Sequence, residues 1–283
     1  MANWDDLGTD GNVDDRRGAG PSFGLTSSLL TFGAVLILGF FGISADPQLV
    51  GQLIQLTGVD KSQTSQQSGE YAGNDSYEKF ARSVLGSTDT FWGNQLQSVS
   101  LQSSYQKPKL VLFRGMTQSS CGVASSDSGP HYCPADQTIY LDETFFDLLK
   151  TQLGGSNADV AQAYVIAHEV GHHVQNEIGT MARVQSDPNF QATGENSLSV
   201  KLELQADCYA GLWAKSIQNQ GFFNTDAQIR EVLSAASAVG DDKIQQKTSG
   251  QVSPETWTHG SAAERMAAFK KGLANTSYKA CAF

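Results

Sequence analysis

The sequence predicts an α+β domain, a small sheet joined to several helices, preceded by one membrane-spanning helix. Three observations carry that expectation. Two short stretches rich in β-formers, residues 109–114 and 137–141, stand ahead of a C-terminal half whose apolar residues recur at helical spacing. Strands gathered before helices, rather than alternating with them, are the α+β pattern. Upstream, residues 25–43 form a run of 19 residues without a single charge.

At 1.5 Å rise per residue that run spans about 28 Å, close to the hydrocarbon thickness of a bilayer. A buried core helix normally keeps a polar face, and this run has none. Arg16 and Arg17 precede it and the next basic residue is Lys61. The Lys/Arg bias therefore places residues 1–24 in the cytoplasm and everything beyond the span outside. A cleaved signal peptide is the alternative. Residues 43–45 make a poor small-x-small cleavage site and the apolar run is long for a signal core, so an uncleaved anchor is expected. Residues 44–76 read as a tether, because 58–75 are rich in Ser, Gln and Gly with no apolar period. The globular domain is then expected over 77–283.

Within that domain a helix is expected over 77–85, packed down by Phe91 and Trp92. The two strands follow, separated by a Gly/Ser-rich loop between Cys121 and Cys133. Helices are expected over 143–153, from about 157 to 177, from about 197 to 217, over 226–243 and over 261–273. With 40% apolar and 17% charged residues the chain can build a core, which excludes wholesale disorder. Its 19 Lys+Arg against 29 Asp+Glu give a net charge of −10 with no basic stripe, so no nucleic-acid partner is expected.

The chemistry concentrates at His168-Glu169-Val170-Gly171-His172, which follows the apolar run 163–167. Residues four apart share one helix face, so His168 and His172 can reach one metal ion. Glu169, one step round the helix, can reach a water on that metal without being a ligand. This is the zinc peptidase arrangement. An open catalytic zinc site needs a third protein ligand. A third histidine six residues after His172 is excluded, since that position holds Ile178. Glu203 and Asp207, also four apart in a helical stretch, are the better candidates. One can bind Zn2+ while the other accepts the distal N–H of a ligand imidazole. Two acids on a solvated face are the commoner use of such a pair, but Leu202, Leu204, Ala206, Cys208 and Tyr209 surround these with apolar neighbours.

Residues 165–175, VIAHEVGHHVQ, with 203–213, ELQADCYAGLW, and 258–269, THGSAAERMAAF, resemble the bacterial neutral zinc metallopeptidase family of membrane-anchored proteins. The stretch 121–142 and the N-terminal DDRRG of residues 14–18 look like the same family, so the resemblance covers nearly the whole chain. It implies a zincin-like fold of the gluzincin type, with Glu203 as third ligand. It also implies single-pass placement in the bacterial plasma membrane, with lipid around the N-terminal helix. In the gluzincin pattern a downstream histidine stabilises the oxyanion, which nominates His259, with Arg265 as a support for substrate or structure. His173 packs or lines the cleft, and His131 is assigned no role.

Cys121, Cys133, Cys208 and Cys281 are an even set, read as disulfides outside the cytoplasm. Of three connectivities, Cys121–Cys133 with Cys208–Cys281 is the expected one. Together these features predict hydrolysis of a peptide or protein substrate by water on zinc. Glu169 would act as base, and the strand ending near Asp142 would be the edge to which substrate adds. The competing reading is a catalytically silent binding module of the same fold. A closed structural zinc site would need a fourth protein ligand, and the sequence offers none beside the motif.

Overall fold

The computed structural model describes residues 3–8, 10–18, 75–97 and 105–283. The main sheet has four strands in the order β1 (Val13–Asp15), β2 (Lys109–Leu112), β6 (Thr138–Leu141), β5 (His131–Cys133). β1 and β2 are parallel, as are β2 and β6, whereas β5 runs antiparallel to β6. The central strands β2 and β6 are buried on both faces, which is why each reads as a nearly continuous apolar run. Leu110, Leu112, Ile139 and Leu141 face the main core. Val111 and Tyr140 face a smaller cluster with Phe113, Ala124 and Cys133. Ala124 belongs to a separate hairpin, β3 (Met116–Ser119) with β4 (Gly122–Ser125), which occupies the expected loop. Cys121, in the turn of that hairpin, is disulfide-bonded to Cys133 of β5.

The edge of the sheet differs from expectation. The strand ending at Leu141 is central, and the edges are β1 and, beside that central strand, β5, hidden inside the Gly/Ser-rich stretch.

The helices are α1 (Ser76–Gln97), α2 (Phe145–Thr151), α3 (Asp159–Glu177), α4 (Thr180–Gln185), α5 (Leu198–Ser216), α6 (Asp226–Ala238), α7 (Asp241–Thr248) and α8 (Ala262–Leu273). Ser197 caps α5 through the Val200 N–H, and Ser261 with Glu264 forms a capping box on α8. α1 runs past the expected end to include Phe91 and the fully buried Trp92. The helix expected over 226–243 is instead broken at Gly240. A Cβ there would meet the Ala262 backbone nitrogen at 2.4 Å, so the chain can pass α8 this closely only as glycine.

The expectation of a membrane-spanning helix ahead of the domain, with the N-terminus on one side of a plasma membrane and the domain on the other, is corrected. Among the described residues no helix is long and apolar enough to cross a membrane, and residues 25–43 lie outside them. The decisive finding is where residues 3–17 sit. Val13, Asp14 and Asp15 pair with Leu110, Val111 and Leu112 in the sheet. Trp4 is buried against Phe80 and Phe222 and donates its indole N–H to Asp159, the first residue of α3. Arg17 is buried, with ion pairs to Asp15, Asp75 and Glu143. The N-terminal segment is thus part of the same body as the domain, and a single crossing between them would pull one sheet apart. Reading Arg16 and Arg17 as topology signals failed because their charges serve this network; Arg16 pairs with Asp14.

Candidate metal centre and active-site cleft

Three helices build the site. α3 carries the two histidines, and its approach to α5 is set by Gly171, where a Cβ would lie 3.0 Å from both the Cα and the carbonyl oxygen of Ala206. That contact lets Glu203, one turn before Ala206, reach the histidines. α8 packs still more closely on the other side of α5: a Cβ on Gly272 would sit 1.9 Å from the Cys208 carbonyl oxygen. This brings Arg265 beside Asp207. A disulfide from Cys208 to Cys281 ties the C-terminus to the same helix.

The ligand atoms converge. His168 Nε2 lies 3.2 Å from His172 Nε2 and 3.2 Å from a Glu203 carboxylate oxygen; the other Glu203 oxygen is 3.3 Å from His172 Nε2. Ligands about 2.0 Å from one metal at the tetrahedral angle would be about 3.3 Å apart, so the donor set fits a zinc ion without rearrangement. The chemistry of the set, two imidazoles and one carboxylate, is also that of an open zinc site.

Each imidazole is oriented from behind. His168 Nδ1 meets Asp207 Oδ1 at 2.8 Å, and His172 Nδ1 meets Gln175 Oε1 at 2.9 Å. Gln175 is held in turn, donating to the Leu202 carbonyl at 2.7 Å. These carbonyl and carboxylate acceptors put the imidazole protons on Nδ1 and leave both Nε2 atoms to bind metal. Asp207, fully buried, also accepts from Tyr164 Oη at 2.5 Å and from Arg265 Nε and Nη2 at 2.8 and 3.0 Å. Burial favours its neutral form, but Arg265 and His168 outweigh that and hold its pKa at about 2. Burial likewise works against charge on His168, yet Asp207 and Glu203 raise its pKa to about 10 in the metal-free protein. A metal ion therefore competes with a proton for this site. Glu203 stays far below the usual carboxylate range despite its burial, because both imidazoles face it.

Glu169 sits on the adjacent face of α3, lines the cleft, and has no hydrogen-bond or ion-pair partner among the described residues. The cleft has a volume of about 1010 Å³ and is bounded on one side by edge strand β5 and the hairpin, on the other by α2, Val239 just beyond α6, and α7. His259 enters it from the loop before α8. Its Nδ1 is 3.2 Å from Asp241 Oδ1, while Asp241 Oδ2 accepts the backbone N–H groups of Thr258, His259 and Gly260 at 2.7–3.0 Å. Burial opposes charge on His259, but the Asp241 contact and the field of Glu203 raise its pKa above the ordinary value.

The sequence-nominated residues thus come together: His168, His172 and Glu203 at one point, Asp207 and Arg265 behind them, Glu169 and His259 at the cleft. Tyr164, Gln175 and Asp241 were missed. Tyr164 stands four residues before His168, a spacing that could have flagged it. Gln175 stands three residues after His172, a spacing that could have flagged it too, and Asp241 is joined to His259 only by the fold. His173 does not enter the cleft. It is fully buried, accepting from Tyr132 Oη at 3.0 Å and donating to the Gln106 carbonyl at 2.6 Å. His131 lines the cleft and stacks on Tyr140.

Comparison with known proteins agrees with this geometry. The family model described as "Putative neutral zinc metallopeptidase" matches residues 2–283. The chain is 40% identical over 281 residues to "Uncharacterized protein YpfJ" of Escherichia coli strain K12, covering 95% of this chain and 94% of that protein. It is 46% identical over 191 residues to "Uncharacterized protein Rv2575" of Mycobacterium tuberculosis H37Rv, covering 64% of each. No solved structure gives a significant match. With a family match over essentially its whole length and a donor set that fits zinc, the chain belongs to the neutral zinc metallopeptidase family.

Proposed function

We propose that the protein is a zinc-dependent endopeptidase that hydrolyses peptide bonds of extended segments laid along β5. The observation that carries this reading is the convergence of His168, His172 and Glu203 at tetrahedral spacing beside an unpartnered Glu169 in an open cleft. A zinc ion held by these three residues would supply Lewis acidity to a water and to the scissile carbonyl. Glu169 takes the proton of the attacking water and delivers it to the leaving amine. Asp207 and Gln175 hold the two imidazoles in the tautomer that presents Nε2. Asp241 fixes the ring of His259, which donates to the oxygen of the tetrahedral intermediate. β5 offers its free edge to an extended substrate main chain.

A structural metal site has no use for a carboxylate placed as Glu169 is, without partner and facing the cleft. The test is Glu169→Gln, which preserves shape and polarity but removes the base. The variant should keep one zinc per chain and its thermal midpoint while losing about 10²–10⁴-fold in peptidase rate on unfolded protein. Equal, negligible activity in both proteins would instead favour the silent binding module.

A further inference from the structure

We infer that the C-terminal turn is part of the metal centre: the Cys281 carbonyl, held in place by the disulfide to Cys208, orients Gln205, which acts through Gln175 as a positioning residue for His172. This deepens the proposed function, resting on the zinc centre but not on whether peptides are cut. The one-turn 3₁₀ helix Tyr278–Cys281 packs against α5 and α8. Gln205 of α5 donates its Nε2–H to the Cys281 carbonyl at 3.1 Å. Its Oε1 accepts from Gln175 Nε2 at 3.2 Å, and Gln175 Oε1 accepts from His172 Nδ1 at 2.9 Å. Three hydrogen bonds thus join the turn to a metal ligand, and none of the four residues is more than 5% exposed.

A buried amide needs partners wherever it stands, so burial alone assigns no role. What singles out this pair is the direction it imposes. A side-chain amide accepts at Oε1 and donates at Nε2, whereas a backbone carbonyl can only accept. The Leu202 carbonyl, 2.7 Å from Gln175 Nε2, and the Cys281 carbonyl therefore fix both amides the same way round. Turning Gln205 over would set its Oε1 against the Cys281 carbonyl oxygen and its Nε2 against Gln175 Nε2. With both amides fixed, Gln175 offers His172 only an acceptor. The imidazole then keeps its proton on Nδ1 and its Nε2 lone pair for the metal.

The disulfide holds the far end. Gln205 and Cys208 are three residues apart on α5, hence on one face, and they grip the same residue. Cys208 bonds the Cys281 sulfur while Gln205 binds the Cys281 carbonyl. Cys208 and Cys281 are 2% and 4% exposed, so the bridge is enclosed together with the amides it supports. Without it, nothing covalent fixes the acceptor that orients Gln205. Asp207 serves the other imidazole directly, at His168 Nδ1. A fault in the amide line should therefore reach His172 and spare His168.

The experiment is a competitive zinc titration of the full chain beside Gln205→Met, Cys208→Ala/Cys281→Ala and the combination of all three, each fold being checked by thermal midpoint. Met matches Gln in length and removes both hydrogen bonds. Gln205→Met should weaken zinc binding about 3–10-fold, the net contribution of one buried hydrogen bond. Removing the bridge should weaken it to a similar extent. Removing it in the Gln205→Met background should change nothing further, because both act through one line of hydrogen bonds. Additive losses, or normal affinity in Gln205→Met, would overturn the relay while leaving the zinc centre intact. A wild type without zinc affinity would overturn the centre, and the relay with it. A second measurement decides the matter even if the proteins lacking the bridge do not fold. In heteronuclear NMR of zinc-loaded Gln205→Met, the His172 Nδ1 proton should exchange with solvent about 10-fold faster than in the wild type, with that of His168 unchanged. Equal acceleration of both protons, or of neither, would overturn the relay.

Discussion

Asp207→Asn separates the support of the metal centre from the ligands themselves. In the native site Asp207 Oδ1 accepts from His168 Nδ1, Tyr164 Oη and Arg265 Nη2, and Oδ2 accepts from Arg265 Nε. Asn keeps one acceptor, which can retain the first three contacts. Its NH₂ group then faces the Arg265 Nε–H, donor against donor. The guanidinium, 4% exposed, is left with Glu203 at 3.8 Å as the nearest carboxylate. Breaking a buried ion pair from one side costs about 3–5 kcal/mol. The neutral amide keeps the His168 contact but removes the carboxylate charge that raises the basicity of that imidazole, and changes to such a supporting group typically lower metal affinity about 10–100-fold. Both effects should therefore appear together, in chemical denaturation and in a competitive zinc titration. Asp207→Asn combined with Arg265→Met removes the stranded charge and should recover a large part of the stability but not of the zinc affinity. A single variant that costs under about 1 kcal/mol and binds zinc normally would refute the role given to Asp207.

Further expectations concern regions away from the metal. Asp89 is buried in α1; its Oδ1 accepts from Tyr105 Oη at 3.2 Å, and its Oδ2 has no partner among the described residues. Burial lifts its pKa to about 7, so the folded protein loses stability as pH rises from about 4 to about 7, by at most about 4 kcal/mol. Asp89→Asn should be stabilising at pH 8 and neutral at pH 4, measured by denaturant midpoints; an unchanged difference across that range would contradict the assignment. The Cys208–Cys281 bridge closes a separation of 73 residues, worth about 4 kcal/mol in the chain-entropy model, against about 3 kcal/mol for the separation of 12 closed by Cys121–Cys133. Replacing each pair by Ala should reproduce that order in equilibrium unfolding, and the reverse order would show that native-state effects dominate.

What was legible in the sequence was what repeats locally. The i, i+4 spacings of His168/His172 and of Glu203/Asp207 predict two helix faces, and the apolar neighbours predict that both faces are buried. Ser197 and Ser261 announce the starts of α5 and α8 through their capping chemistry. What the sequence hid depends on contacts between distant segments. β1 is three residues long and lies among aspartates and arginines, so it has no apolar alternation to betray it; its place is fixed by pairing with β2 and by the Arg17 ion pairs. β5 is equally short, and a His-Tyr-Cys strand within a Ser/Gly-rich stretch reads as loop. The break at Gly240 follows from the approach of α8, which periodicity within 226–243 cannot register. The membrane topology failed for a similar reason, since the rule weighs Lys and Arg near an apolar run without knowing that Arg17 is buried.

Anomalous diffraction at the zinc edge from a crystal of the zinc-loaded full chain tests the central claim most directly. One peak should lie between His168 Nε2, His172 Nε2 and the Glu203 carboxylate, with its open side towards Glu169 and the cleft. A zinc ion bound elsewhere, or one with Glu169 or a further protein side chain closing its fourth position, would contradict a hydrolytic centre here.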